Sequence, residues 1–235
     1  QRYRPPSGAR RGDAEAIAPP IRAELSLTAG VVVAPPTVPL GAQREFAAEL
    51  RQSAQAARRR ARLLGLRRGD DGAGEGYCDF LVARDASLPA ERLATWRANQ
   101  VRVQDRTELR LSAAPYTWPE LQGLLATARA LREAGFPPDL LAAVVARMPD
   151  NPLAASVDYL YSRLRLRDDL QRTVTAQLEV AWQGPRARDP AVAPPWRWLP
   201  PRDGREQRES IVPDLLDVWD LSVSQLPAEG GDATR

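Results

Sequence analysis

The chain is expected to be mainly α, a helical core domain carrying extended N- and C-terminal arms. Three observations predict this. Apolar residues recur at helical spacing through several stretches between residues 43 and 226. Helix punctuation brackets those stretches, with a capping signal at Thr117-x-x-Glu120 and a stop at Gly135. The first 42 residues instead repeat Pro and Gly (Pro5, Pro6, Pro19, Pro20, Pro35, Pro36, Pro39, Gly8, Gly12, Gly30, Gly41), which favours extended backbone and blocks helix.

Taken in order, residues 1–42 read as an arm. Its one short apolar piece, Val31, Val32 and Val33, is suited to add a strand or to dock into a neighbour's groove, and so to serve as a polymerisation arm. Residues 43–66 read as a helix with Phe46, Leu50, Ala54, Ala57, Ala61 and Leu64 on one stripe. Arg58, Arg59, Arg60 and Arg62 lie beside that stripe as either a solvated face or a phosphate-contacting one. Gly69 to Gly76 is a glycine-rich break, so residues 43–76 form a basic helix and hinge.

From Tyr77 to residue 226 the chain reads as the compact core. Residues 88–98 suit a short helix carrying Leu93 and Trp96, and residues 100–112 alternate as a strand or hairpin. The helix opened by Thr117, with Pro119 in its first turn, buries Leu121, Leu124, Leu125, Ala128 and Leu131. Asp139 caps a second helix from Leu140 to Met148. Residues 156–182 give the longest helical pattern, with Leu160, Leu164, Val174, Leu178 and Trp182 among its apolar positions. Residues 184–210 read as a long Pro- and Arg-rich loop, residues 213–226 as a last short helix, and residues 227–235 as a polar tail.

Composition narrows the chemistry. The 235 residues suffice for one large or two small domains, and no apolar run approaches the roughly 20 residues of a membrane span. All 33 basic residues are arginine, with neither lysine nor histidine. A GC-rich gene would account for this bias, since Asn, Ile, Phe and Met are scarce too; the functional alternatives are arginine chosen for phosphate contacts or lysine avoided to escape modification. Without histidine the commonest general base and metal ligand are missing, which sets aside histidine-dependent hydrolase, zinc and haem chemistry. A single cysteine, Cys78, rules out a disulfide framework within the chain. Asp168 and Asp169 are adjacent and point apart on a helix, so they form no acid/base pair. Residues 1–69 hold 13 arginines against 5 acids, a balance of +8, and the remainder 20 against 25, a balance of −5. A basic leading segment on a mildly acidic body suits nucleic acid or an acidic neighbouring subunit.

The last half of the chain carries an ordered set of short motifs. Trp118-Pro119-Glu120 opens a helix that closes at Ala134-Gly135-Phe136-Pro137, and Leu141-Ala142-Ala143-Val144 opens the next. Ser156 follows. A helix from Leu166-Arg167 ends at Ala181-Trp182; then come Pro194-Pro195-Trp196-Arg197-Trp198, the pair Asp214 and Asp217 set in leucines, and Pro227-Ala228-Glu229-Gly230. Over about residues 117 to 230 this order and spacing resembles the coat proteins of flexuous filamentous, potexvirus-like RNA viruses. The departures are Ala154-Ala155 where the family has Ala-Asp, aliphatic residues where it has Phe-Asp-Phe-Phe, a longer loop after Trp182, and a longer leading segment.

The resemblance implies a coat protein, not an enzyme. It would polymerise head-to-tail into a flexible helical filament around single-stranded RNA, in the virion and the host cytoplasm, with no cofactor and no metal. It also implies a groove in which a serine, an arginine and an aspartate meet the RNA: Ser156, Arg167 or Arg172, and Asp214. Arginine offers a fork of donors to phosphate, a serine hydroxyl can donate to phosphate or sugar, and the aspartate would orient the arginine. Arg163 and Arg165 would complete a locally basic groove. Tyr159, Tyr161, Trp196 and Trp198 suit either base stacking or a core. A rival expectation is an Arg-rich helical RNA-binding or assembly factor of a larger ribonucleoprotein complex, which would not form filaments.

Overall fold

The computed structural model describes residues 27–63, 76–83, 88–89, 91–181 and 196–222. Strand β1 (Thr28–Val33) runs parallel to β2 (Tyr77–Val82), and the long helix α1 (Leu40–Leu63) lies between them in sequence and packs on both. Parallel neighbours need such a crossover, because a tight turn cannot reverse the chain twice. Phe46, Leu50 and Ala54 form the buried face of α1, and Phe46 and Leu50 make a small core with Leu81 and Leu93. The helix sits close to the sheet because position 30 is glycine. A Cβ there would lie 2.2 Å from the Ala47 carbonyl oxygen and 2.4 Å from the Arg51 nitrogen. Strand β5 (Tyr116–Thr117) adds antiparallel to β2 and completes a three-stranded sheet, β1-β2-β5.

A second sheet has the order β3-β4-β7-β6, built from β3 (Val101–Gln104), β4 (Thr107–Arg110), β6 (Trp196–Arg202) and β7 (Arg205–Ser210). Each hairpin turns on two residues, and the turns hold Asp105 at φ 52° and Asp203-Gly204 at φ 52° and 73°. In the β6–β7 turn left-handed backbone at both central positions gives the primed turn that matches strand twist, and Asp-Gly is its favoured pair, whereas in the β3–β4 turn Asp105 alone is left-handed. β4 and β7 join the hairpins in parallel.

The helices cover this framework. They are α2 (Leu93–Asn99), α3 (Trp118–Glu133), α4 (Pro138–Arg147), α5 (Pro152–Leu164), α6 (Asp168–Val174), which continues as a π-helical turn over Thr175–Ala181, and α7 (Val212–Val218), followed by a 3-10 turn over Asp220–Ser222. The capping box at the start of α3 is formed in full: the Thr117 hydroxyl accepts from the Glu120 N–H, and the Glu120 carboxylate accepts from the Thr117 N–H at 3.0 Å. The main core runs from Phe80 and Tyr116 through Leu124, Leu131, Leu141, Val144 and Met148 to Val212 and Leu215.

The expectation of a mainly α chain is therefore corrected: the fold is mixed α/β, with two mixed sheets. The largest single error lies in residues 196–210, expected as loop and found as the β6–β7 hairpin. Pro- and Arg-rich composition points to a loop, yet Pro200 and Pro201 fall within β6. They are tolerated because β6 is an edge strand and its register shifts between Leu199 and Arg202, where missing N–H groups interrupt no ladder. The long helix expected over 156–182 is two helices. Arg163 lies in the last turn of α5, and Asp168 and Asp169 open α6, charges that suit a C-terminus and an N-terminus respectively. Asp139 lies in the first turn of α4, but Pro137 occupies the cap position. Of the two expectations for Val31, Val32 and Val33, the added strand is observed, in this chain's own sheet. Residues 1–26 of the expected arm, Gly69 to Glu75 of the hinge, Trp182, Pro194, Pro195 and the tail from residue 227 lie outside the described residues.

Candidate nucleic-acid interface

Two kinds of arginine divide the molecule. Arg97 of α2 is largely covered, and its guanidinium donates to Asp79 Oδ1 at 2.7 Å, to Ser112 Oγ at 2.8 Å and to the Phe80 carbonyl oxygen at 3.3 Å. The Ser112 hydroxyl passes the chain of bonds onward to Asp214 Oδ1 at 2.8 Å. Asp214 Oδ2 accepts from the Ala113 N–H at 2.8 Å and from the Tyr116 hydroxyl. A second knot lies beside Tyr116. Arg197 of β6 donates through Nε to Glu209 of β7, and through a terminal nitrogen to Glu120 of α3 at 3.3 Å. Together these bonds tie β2, α2, β5, α3, β6, β7 and α7 into one polar seam through the core.

The electrostatics of the seam follow from burial. Loss of water pushes the Asp214 carboxyl above its ordinary range, while Arg97 and the donors Tyr116, Ala113 and Ser112 pull the other way. Tyr116 is held well above a normal phenol by burial and by the neighbouring Asp214 carboxylate. Burial opposes the Arg197 cation, but Glu209 and Glu120 outweigh it and hold that guanidinium protonated. Cys78, next to Asp79, is pushed up to about 11 by burial and by that carboxylate, so it is no nucleophile at neutral pH.

The structure does not gather the expected groove residues. Asp214 meets Ser112, Ala113 and Tyr116, with Arg97 beyond. Ser156 is buried on α5, where its hydroxyl donates to the Pro152 carbonyl oxygen at 3.0 Å and accepts from the Trp196 indole N–H at 2.8 Å. A buried indole needs such an acceptor, so this bond fastens β6 to α5. The four arginines stand elsewhere. Arg163 is half-buried on α5; Arg165, Arg167 and Arg172 are exposed around the α5–α6 corner. Arg167 lies 3.6 Å from the equally exposed Asp169, and Arg172 Nε reaches the Asp168 carbonyl oxygen at 3.3 Å. Tyr159 is buried, whereas Tyr161 is 61% exposed on the same helix.

The residues that sequence reasoning missed are Arg97, Ser112, Tyr116, Arg197 and Glu209. Their partners are up to 102 positions away in the chain, beyond any spacing rule. Arg197 stood inside the quoted Pro-Pro-x-x-Trp segment, but nothing local marks it as buried.

Among the described residues no cluster of three or more acids, cysteines or histidines could hold a metal ion, and no helix is long and apolar enough to cross a membrane. The chain matches no protein-family model, no curated protein and no solved structure.

Proposed function

We propose that the chain coats single-stranded RNA in many identical copies, as a viral coat protein does, and contacts the sugar-phosphate backbone without reading base sequence. The observation that carries this reading is the partition of arginines. Those inside the fold are neutralised by buried acids, whereas Arg165, Arg167 and Arg172 project from the α5–α6 corner into solvent. Exposed guanidinium groups outside a packed network are available for phosphate, and backbone contacts suit a protein that must accept any stretch of a genome. Ser156 and Asp214 then act as positioning residues of the fold, not as RNA ligands.

A second reading is an RNA-binding factor that does not polymerise. It is favoured by one observation: Val31, Val32 and Val33 pair with β2 of their own chain, so exchanging that segment with a neighbour requires breaking a parallel strand pair. Negative-stain microscopy of the purified protein, with and without RNA over a salt series, separates the two. Flexible filaments that protect RNA from nuclease support the coat reading. RNA binding by discrete particles supports the second, and absence of RNA binding at low salt overturns both.

A further inference from the structure

We infer that one flank of α1 is a track for a linear polyanion, and that within the RNA-coating reading, on which this rests for its ligand, it is the principal phosphate contact. Arg44, Arg51, Arg58 and Arg62 recur at steps of seven, seven and four residues. At 3.6 residues per turn these positions fall within about 40° of one another around the helix axis and span about 27 Å along it. The stripe flanks the face that seats the helix on β1 and β2, lying about 65°, 105° and 145° around the axis from Ala54, Leu50 and Phe46. Arg44, Arg51 and Arg62 are exposed and Arg58 half-buried. Among the described residues no ion pair or hydrogen bond engages any of the four guanidinium groups.

The pattern runs against what a helix does for its own stability. An exposed helix gains from an acid three or four positions from an arginine and loses from a like charge there. Here the neighbours of Arg44 and Arg51 at those distances are Leu40, Gly41, Ala47, Ala48, Ala54 and Gln55, and Arg58 stands four residues from Arg62. Of the two acids in α1, Glu49 is turned to α2, where it accepts the Leu93 N–H at 2.8 Å, and Glu45 lies about a third of a turn from the stripe. The helix dipole accounts for cations in the last turn, hence for Arg60 and Arg62. It does not account for Arg51 and Arg44, some three and five turns upstream. A straight row of unpaired cations is the arrangement that releases counterions from a phosphate chain. With arginine and Gln55 as its polar groups, it has little with which to read bases.

The test is the salt dependence of binding to a fluorescent oligouridylate and, in parallel, to heparin. It compares the full chain with R44Q/R51Q/R58Q/R62Q and with R165Q/R167Q/R172Q, each checked for folding by circular dichroism. Single-strand binding loses about 0.7 of log-log salt slope per phosphate contact removed, so the α1 variant should lose about 3. Photo-cross-linking of bound RNA in the unaltered protein should label the Leu40–Leu63 segment, which guards against a misfolded variant. If the corner variant alone lowers the slope and cross-links avoid α1, the track is overturned while RNA coating stands. If the chain binds heparin through α1 but not oligouridylate, the track stands and RNA coating fails. Binding to neither overturns both.

Discussion

Arg97 and Arg197 on one side, and Arg44, Arg51, Arg58 and Arg62 on the other, are the same side chain in opposite situations. The first two lie in the polar seam, each with a carboxylate from another element, Asp79 of β2 and Glu209 of β7. The other four stand along α1 with no acid at helical contact distance. The difference teaches that, in a chain whose every cation is arginine, the placement of acids separates structural cations from available ones. Removing a seam arginine should cost stability, and removing an α1 arginine should cost affinity.

The largest effect should come from Arg197→Gln, which removes the cation bonded to both Glu209 and Glu120 and leaves Glu209 with only the charge of Arg110 beyond it. Breaking a buried pair in this way costs about 3–5 kcal/mol. Denaturant unfolding measures it, and a loss below about 1 kcal/mol would mean the pair is screened by water and the seam is not a structural unit. Tyr116→Phe comes next. It deprives buried Asp214 of one donor and should cost about 1–3 kcal/mol, again read by denaturant midpoint, with no change in RNA affinity.

A smaller effect concerns pH. The folded Cys78 thiol titrates near 11, above its usual 9.0. Over that window the unfolded chain has released the proton and the folded chain has not, so the folded state binds more protons and its stability falls as pH rises. Tyr116 contributes with the same sign at higher pH, because its folded value is also raised. Unfolding free energy measured from pH 8 to 11 should therefore decline, and Cys78→Ala should decline less steeply. Equal slopes would mean that the thiol ionises alike in the folded and unfolded chains. The smallest expected change is in the stability of R44Q/R51Q/R58Q/R62Q, within about 0.5 kcal/mol of the parent or slightly above it, since a like-charge pair is relieved. A large loss by thermal melt would move those arginines into the structural class.

What the sequence showed of the fold was what short-range physics decides. The α3 capping box, the Gly135 stop and the apolar stripe of α1 depend on residues a few positions apart; the first two are observed, and the stripe is buried at Phe46, Leu50 and Ala54 but half-buried at Ala57 and Ala61, with Leu64 outside the described residues. So does the β3–β4 hairpin, read from the alternation of Val101, Val103, Leu109 and Leu111. The β6–β7 hairpin carries an equally local signal in Asp203-Gly204, which the reading of residues 184–210 as a Pro- and Arg-rich loop does not use; that prolines fit there follows only from the sheet order, which makes β6 an edge. The pairing of β1 with β2 was not legible, since it joins Thr28 to Tyr77 across a whole helix. The site divides in the same way. The spacing of the α1 arginines is written in the sequence, although only the cluster from Arg58 to Arg62 stood out by density. That Asp214 faces Tyr116 and Ser156 faces Trp196, and that neither faces an α5–α6 arginine, follows from tertiary packing alone.

The measurement that tests this division most directly is made on Ser156→Ala, the residue that a shared RNA groove and a structural seam interpret most differently. The variant removes the acceptor of the buried Trp196 N–H. If Ser156 serves the fold, thermal and denaturant stability should drop by about 1–3 kcal/mol, while the salt slope of oligouridylate binding stays at the parent value. An unchanged stability with a slope reduced by about 0.7, the worth of one phosphate contact on a single strand, would contradict the account and return Ser156 to the RNA.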